Sequence, residues 1–391
     1  MDFQLSAEQE LMRDSTRRLV ERVIAPELLS HAPDHPLPKS SYLRIFKGLS
    51  DIGLTAPRLP ESAGGPGIQM IDYGVMFEQI PAVIGIALIA HEGAVARLYG
   101  ECNEEQRERF LPELIAGSKI GCTCATEPDA GSDPRGIQTR LTRQGGRLLL
   151  NGSKMWITNA TVADTMVVTC RDCREDADSR VVIKVAVERE YAAFAAREID
   201  TIGLQQGILG EVTFLDCEIP PENVIKSGVG GTEILKKTWM LNRPLIGLLA
   251  VHMAEQALDK AIEYVKQRKQ FGKVIAAHQL VQKNLADCCA SITAARALCQ
   301  QALIKIDRGE TADGAAAMAK RFAQNTCRDA VWQAMNAHGA MGLSREVGIE
   351  KLYRDICMLP IPDGTNEILT LIQGRELTGV EALRGIAQPN T

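Results

Sequence analysis

RLTRQGGRLLLNGSKMWITNA, residues 140–160, is where the chain stops reading as helix and starts reading as sheet. Gly145–Gly146 and Asn151–Gly152 are turn dipeptides between alternating runs. Thr165–Cys170, Val181–Val187 and Glu211–Leu215 are further strand-like runs. Together they predict an antiparallel β-domain. Upstream the period is helical. Residues 1–30 carry Leu5, Leu11, Leu19, Val20 and Val23 on one stripe, and Pro26 ends or kinks that helix. A second helix is expected over 41–53, a Pro/Gly-rich loop over 54–69, one or two buried helices over 71–100 and a charged surface helix over 103–117. Downstream, helices are expected over 244–267, 277–307 and 311–338, the last rich in alanine, with another beyond Asn366. The fold class is therefore α+β: an N-terminal α-helical domain over 1–120, a central β-domain over 121–231 and a C-terminal helical bundle over 232–391.

Composition narrows the function. The chain has 391 residues, 45% of them hydrophobic and 24% charged, and a net charge of −5. There is no basic tract, so nucleic acid is not an expected partner. The start, MDFQLSAEQE, is polar and acidic and does not read as a signal peptide. The run Pro244–Val251 is too short to span a bilayer, so no membrane span is expected. Eleven cysteines form no framework and point to a reducing, cytoplasmic setting. The six histidines show no ligand spacing, and no metal is expected. Neither GxGxxG after a first strand nor a P-loop is present.

Four stretches carry candidate chemistry. In IPDGTNEI, 361–368, Asp363 sits on a Pro–Asp–Gly turn, and Thr365 and Asn366 can both cap the helix that follows. A carboxylate there can be rigid and desolvated, or it can be only a turn residue. In CTCATEPDAGSD, 122–133, small residues let backbone approach a flat ligand, while Thr126 and Ser132 supply hydroxyls. In MWITNA, 155–160, Trp156 can face an aromatic ring and Thr158 a heteroatom, or Trp156 can be core. In RKQFG, 268–272, Arg268 can hold a phosphate and Phe271 can stack on a base, or the stretch is only a cationic helix end with Gly272 beyond it. His91 reads either as a core histidine or as the lining of a ligand cavity.

CATEPDAGSD (124–133), NGSKMWITNA (151–160), RKQFGK (268–273), NAHGAMG (336–342) and IPDGTNEI (361–368) together resemble the acyl-CoA dehydrogenase family, and the similarity runs along essentially the whole chain. The resemblance implies a helical, β and four-helix organisation, usually tetrameric, with FAD between the β-domain and the bundle. It implies that Ala125, Thr126, Trp156 and Thr158 meet the isoalloxazine ring. Arg268, Phe271, His278 and Gln279 would hold the pyrophosphate and adenine of a neighbouring subunit's FAD. Asn336, Gly339 and Ala340 would reach a partner's cofactor, and Thr365 and Glu367 would contact FAD again. Ser132, Arg243 and Gly364 would face the acyl-CoA. Asp363 stands where most members carry the glutamate that removes the α-proton, the β-hydrogen then passing as hydride to flavin. The reduced flavin would be reoxidised by electron-transferring flavoprotein or a similar acceptor.

Two departures bear on the substrate. Aspartate is about 1.5 Å shorter than glutamate, so a branched or cyclic acyl group is expected to bring its α-carbon into reach. Some branched-chain members place the base near the NRP segment, where this chain has Asn242, which cannot serve. Altered chemistry is the alternative: an oxidase, a carrier-protein-thioester dehydrogenase or a redox-neutral elimination catalyst.

Overall fold

The computed structural model describes residues 4–133, 136–174, 181–225 and 231–382, with the side chains of 231–236 left out. The C-terminal end of the expected bundle domain, 383–391, lies outside the described residues. The chain packs as two compact units. The first comprises 1–69, 83–201 and 205–238, and the second 70–82, 202–204 and 239–391.

The first unit opens with helix α1 (Ala7–Leu19), capped by a reciprocal pair of bonds between Ser6 and Gln9. A π-helical turn, Val20–Ile24, leads into α2 (Ala25–Leu29). Pro26 does not end the helix, because it falls in the first turn of α2, where a missing N–H costs little. Helix α3 is Lys39–Asp51. The next segments are α4 (Met70–Phe77), which belongs to the second unit, and α5 (Ala82–Glu101). Helix α6 (Glu104–Ile115) is capped by Asn103 and Gln106.

Among the described residues the helix that combines length with apolar character is α5, not the 244–251 run. It is long and apolar enough to cross a membrane, but 78% of its most apolar window is buried inside the protein. Its Ala94, Val95 and Leu98 pack with Phe110, Leu111 and Leu114 of α6. His91 on α5 is fully buried. Its Nδ1 accepts the Gly121 N–H at 3.0 Å, and burial lowers its pKa to about 4. The core-histidine reading therefore describes its surroundings.

The strands are β1 (Gly121–Cys124), β2 (Arg140–Gln144), β3 (Arg147–Thr158), β4 (Thr165–Asp172), β5 (Val182–Glu188), β6 (Ala195–Glu198), β7 (Leu209–Ile219) and β8 (Val224–Ile225). They form one sheet in the order β6-β7-β3-β2-β4-β5-β8, with β1 on β4. The sheet is mixed rather than wholly antiparallel, because β1 and β2 both run parallel to β4. The alternation in β4 and β5 sorts two cores. Met166, Val168, Val185 and Val187 face the interior of the sheet domain, while Val167 and Ala186 face α5 and α6.

Gly145 (φ 55°) and Gly146 (φ 85°) make the expected hairpin turn between β2 and β3. Asn151–Gly152 is not a turn. It lies inside β3, where the pairing with β7 shifts register, and a Cβ on Gly152 would stand 2.6 Å from Thr139 Cα. That glycine serves a bulge and a close approach, which its sequence pattern shares with a turn.

In the second unit, α7 (Gly231–Gln267) from residue 239 onward, α8 (Gln279–Asp307), α9 (Asp313–Ala337) and α11 (Asn366–Thr378) supply the bundle, with a short α10 (Ile349–Ile356) before the last. Alanines 316, 319, 323, 330 and 334 line the buried face of α9. A Cβ on Gly247 of α7 would meet Cys299 Sγ at 2.6 Å, so small residues set the helix spacing here. Between α7 and α8 lies a hairpin of β9 (Lys269–Gln270) and β10 (Lys273–Val274). RKQFGK is thus a hairpin and not a helix end with a terminal glycine. Phe271 (φ 54°) and Gly272 (φ 77°) are its two left-handed corner residues.

Candidate active site

Asp363 lies in the connection between α10 and α11, half-buried and at φ 53°. This left-handed backbone is uncommon for a residue with a side chain and persists only where its surroundings hold it. The holding groups are visible. Arg243 of α7, buried, donates from Nε to the Asp363 carbonyl at 3.1 Å. Lys320 of α9 donates to the carbonyls of Pro362 and, at 2.7 Å, Gly364. Gln324, one turn further along α9, donates to the Leu359 carbonyl at 2.6 Å.

Burial lowers the pKa of the Arg243 guanidinium, and the Asp363 charge opposes that shift. Burial likewise lowers the Lys320 ammonium to about 7, again against Asp363. Thr365 caps α11 by accepting the Ile368 N–H at 3.4 Å, and Glu367 is exposed in its first turn. Asn242, beside Arg243, is buried. Gly364 (φ 107°) follows Asp363 directly. The second unit thus brings together Asp363, Arg243, Gly364 and Thr365.

The first unit brings together another set. Met155 N–H donates to the Thr126 carbonyl at 3.0 Å, which lays the 125–127 segment along β3. Lys154 is fully buried and donates to the Ala125 carbonyl at 3.0 Å and to Glu127 at 2.8 Å. Glu127 also accepts the Gln138 and Thr139 N–H groups at 2.6 and 2.9 Å. Burial raises the Glu127 carboxyl, but Lys154 and those donors outweigh it, and the net pKa is lowered. Next in sequence, Trp156 sits at φ 61° in a register shift of β3 and is 51% exposed. It is not a core tryptophan. Thr158 and Thr126 are half-buried, and Ser132 is exposed further along the loop.

Residues of the expected nucleotide-holding group lie at two exposed places. Phe271, at the hairpin tip, is 92% exposed and meets His278 edge-on, with ring centroids 5.9 Å apart. His278 Nε2 is buried without a hydrogen-bond partner among the described residues. Arg268 and Gln279 are exposed on either side. Asn336, Gly339 and Ala340 are exposed at the end of α9 and in the following turn.

Sequence reading passed over Lys154, Glu127, Lys320 and Gln324. A signal was available for each. Glu127 is a charge inside CTCATEPDAGSD and Lys154 inside NGSKMWITNA, and Lys320 and Gln324 fall at core spacing with Ala316, Ala323 and Cys327 on α9.

The chain matches the N-terminal, middle and C-terminal domain families of acyl-CoA dehydrogenase over residues 6–118, 122–217 and 230–378. It belongs to the acyl-CoA dehydrogenase family. It is similar to benzylmalonyl-CoA dehydrogenase of Aromatoleum aromaticum, 32% identical over 97% of this chain and 100% of that one. It is also similar to cyclohex-1-ene-1-carbonyl-CoA dehydrogenase of Geobacter metallireducens, at 31% over 95% and 98%. The structure of butyryl-CoA dehydrogenase from Megasphaera elsdenii matches with a TM-score of 0.87 at 30% identity, over 96% of this chain and 100% of that one. As a family member the protein is an FAD-dependent oxidoreductase acting on CH–CH bonds. Its residues fit such a cofactor. A half-exposed tryptophan two residues before the half-buried Thr158 suits a flat ring with polar edges, and a buried His278 nitrogen without a partner among the described residues, beside an exposed phenylalanine, suits a nucleotide.

Proposed function

We propose that Asp363 is the base that removes the α-proton of an acyl-CoA thioester, and that the acyl group is cyclic or branched. The observation that carries this is the carboxylate's setting: a left-handed turn whose carbonyls are tied from α7 and α9, with Arg243 and Lys320 as charged neighbours. The Asp363 charge acts on both Arg243 and Lys320, and a carboxylate is the form that accepts a proton. Asn242 offers no competing carboxylate on α7. Bound FAD supplies the acceptor for the β-hydrogen and its electron pair.

Ala125, Thr126, Trp156 and Thr158 would hold the flavin ring. Arg268, Phe271, His278, Gln279, Asn336, Gly339 and Ala340 would hold the nucleotide of a neighbouring copy, and Thr365 and Glu367 would make a further contact. Ser132, Arg243 and Gly364 belong to the acyl-CoA side, and Arg243 also ties the base loop. A homotetramer agrees with the exposure of Phe271, Leu280 and Leu343, at 92%, 75% and 70%. A cytoplasmic setting agrees with the free state of all eleven cysteines. Electron-transferring flavoprotein or a similar carrier would take the electrons onward.

A ring is favoured because the aspartate is about 1.5 Å short and because two of the similar proteins are named for ring-bearing substrates. The test is anaerobic flavin bleaching by a panel of straight-chain, branched and cyclic acyl-CoAs. Cyclic or branched thioesters should bleach fastest. Asp363→Ala should slow bleaching by about 10²–10⁴-fold. Bleaching of that variant at the parent rate would remove Asp363 from the role.

A further inference from the structure

We propose that Lys320 is a positioning residue for the base. Its ammonium ties the peptide carbonyls on both sides of Asp363 and so fixes where the carboxylate stands. The inference rests on Asp363 being the base, and its first measurement is chosen to stand without that reading.

Lys320 is fully buried on α9, and both of its hydrogen bonds go to main-chain carbonyls. Burying an ammonium is costly even with the Asp363 charge acting on it, and a leucine or methionine would fill the same space more cheaply. What lysine adds is donors, and both observed bonds go to the base loop: to the Pro362 carbonyl and to the Gly364 carbonyl. The carbonyl between them belongs to Asp363 and is taken by Arg243, while Gln324 holds the Leu359 carbonyl. The main chain around the base is therefore tied at successive carbonyls.

This tie bears directly on an aspartate. A glutamate can correct a displaced backbone with an additional side-chain torsion. An aspartate has only two torsions, so its carboxylate follows the main chain closely. At φ 53° that main chain is in a region it would leave if released. A displacement of about 1 Å can cost roughly 10²-fold in rate.

Charge adds to the geometry. The groups acting on Lys320 are Asp363 from the loop and Arg243 from α7. Arg243 in turn faces Asp313 at the start of α9 and Arg375 of α11. Burial brings the ammonium down to about 7, so its charge, and the strength of a charge-assisted tie, changes across neutral pH.

The experiment compares the parent holoenzyme with Lys320→Met, which keeps length and loses every donor, and Lys320→Arg, which keeps a permanent charge. Backbone hydrogen exchange is followed in peptides covering 359–368, with 121–127 as the internal control. Lys320→Met should exchange faster in 359–368 only. Bleaching by cyclohexanecarbonyl-CoA and butyryl-CoA should slow by about 10²-fold at saturation with little change in the half-saturating concentration, and Lys320→Arg should recover part of that loss. In the parent, exchange of 359–368, corrected for intrinsic rates, should speed up as pH rises through about 7, and Lys320→Arg should abolish that step. The parent measurement needs no variant to fold. Exchange in 359–368 that matches the parent in Lys320→Met, or that shows no pH step in the parent, overturns the proposal. Parent-rate bleaching by Asp363→Ala would sink the base instead, and the exchange result would still report whether Lys320 holds the loop.

Discussion

Lys154 and Lys320 are both fully buried, and both donate to main-chain carbonyls of a loop that carries candidate site residues. They differ in what balances the charge. Lys154 has Glu127 at 2.8 Å, itself fed by two backbone N–H groups, so the ion pair and the 125–127 segment form one closed network. Lys320 has carbonyl dipoles and the field of Asp363. The first arrangement makes a rigid platform beside Trp156. The second leaves an ammonium whose protonation changes near neutral pH, next to the proposed base. Burial lowers both ammonium groups, but Lys154 is held by a direct ion pair and Lys320 by carbonyls and the Asp363 charge.

Breaking the pair should have the largest effect. Lys154→Met leaves the buried Glu127 carboxylate with its backbone N–H donors but no cation, and should cost about 3–5 kcal/mol of stability in urea unfolding. Lys154→Met combined with Glu127→Leu should recover much of the loss, because no uncompensated charge remains. A single variant as stable as the parent would show that the pair is not what closes this network.

The second contrast is pH. Lys320 has a folded pKa of about 7, below the ordinary lysine value of 10.5. Between those limits the unfolded chain binds the proton and the folded chain does not. Stability should therefore rise with pH across that window, by up to about 1.4 kcal/mol per unit. Lys320→Met should shrink this rise most near pH 7 without abolishing it, because burial also lowers the Lys154 and Lys184 ammonium groups, as measured by unfolding at pH 7, 8 and 9. If Asp363 is what supports the charge on Lys320, Asp363→Asn should start the rise at a lower pH.

His91 gives a smaller effect of opposite placement. It is buried neutral with a folded pKa of about 4 against 6.5 unfolded, so stability should fall as pH drops from about 6.5 towards 4. His91→Gln should flatten that acid slope in melting temperature. The smallest expected change in stability is at Phe271. It is 92% exposed, and Phe271→Ser should leave stability within about 0.5 kcal/mol of the parent. Retention of FAD through purification should drop if this residue stacks on the nucleotide.

The helices, the sheet-forming middle and the five site motifs were legible because each is a local pattern of period, turn residue or motif spacing. Asn151–Gly152 was misread because a bulge glycine and a turn glycine look alike until the paired strand is known. Of the two readings of RKQFG, the helix end fails, and sequence left it open because a two-residue hairpin and a helix end both use a left-handed glycine. The parallel pairing of β1 and β2 with β4 joins strands far apart in sequence, and strand pairing of that kind has no local signature.

The sequence by itself determined the fold class, the family and the presence of a carboxylate on a turn, all of which depend on residues close together or on motifs in order. Only the tertiary structure decided which buried side chains hold that turn. Lys320 and Arg243 come from helices far from Asp363 in the chain. Their donors reach its carbonyls only after α7 and α9 have packed, because a hydrogen bond is satisfied by position in space and not by spacing in sequence.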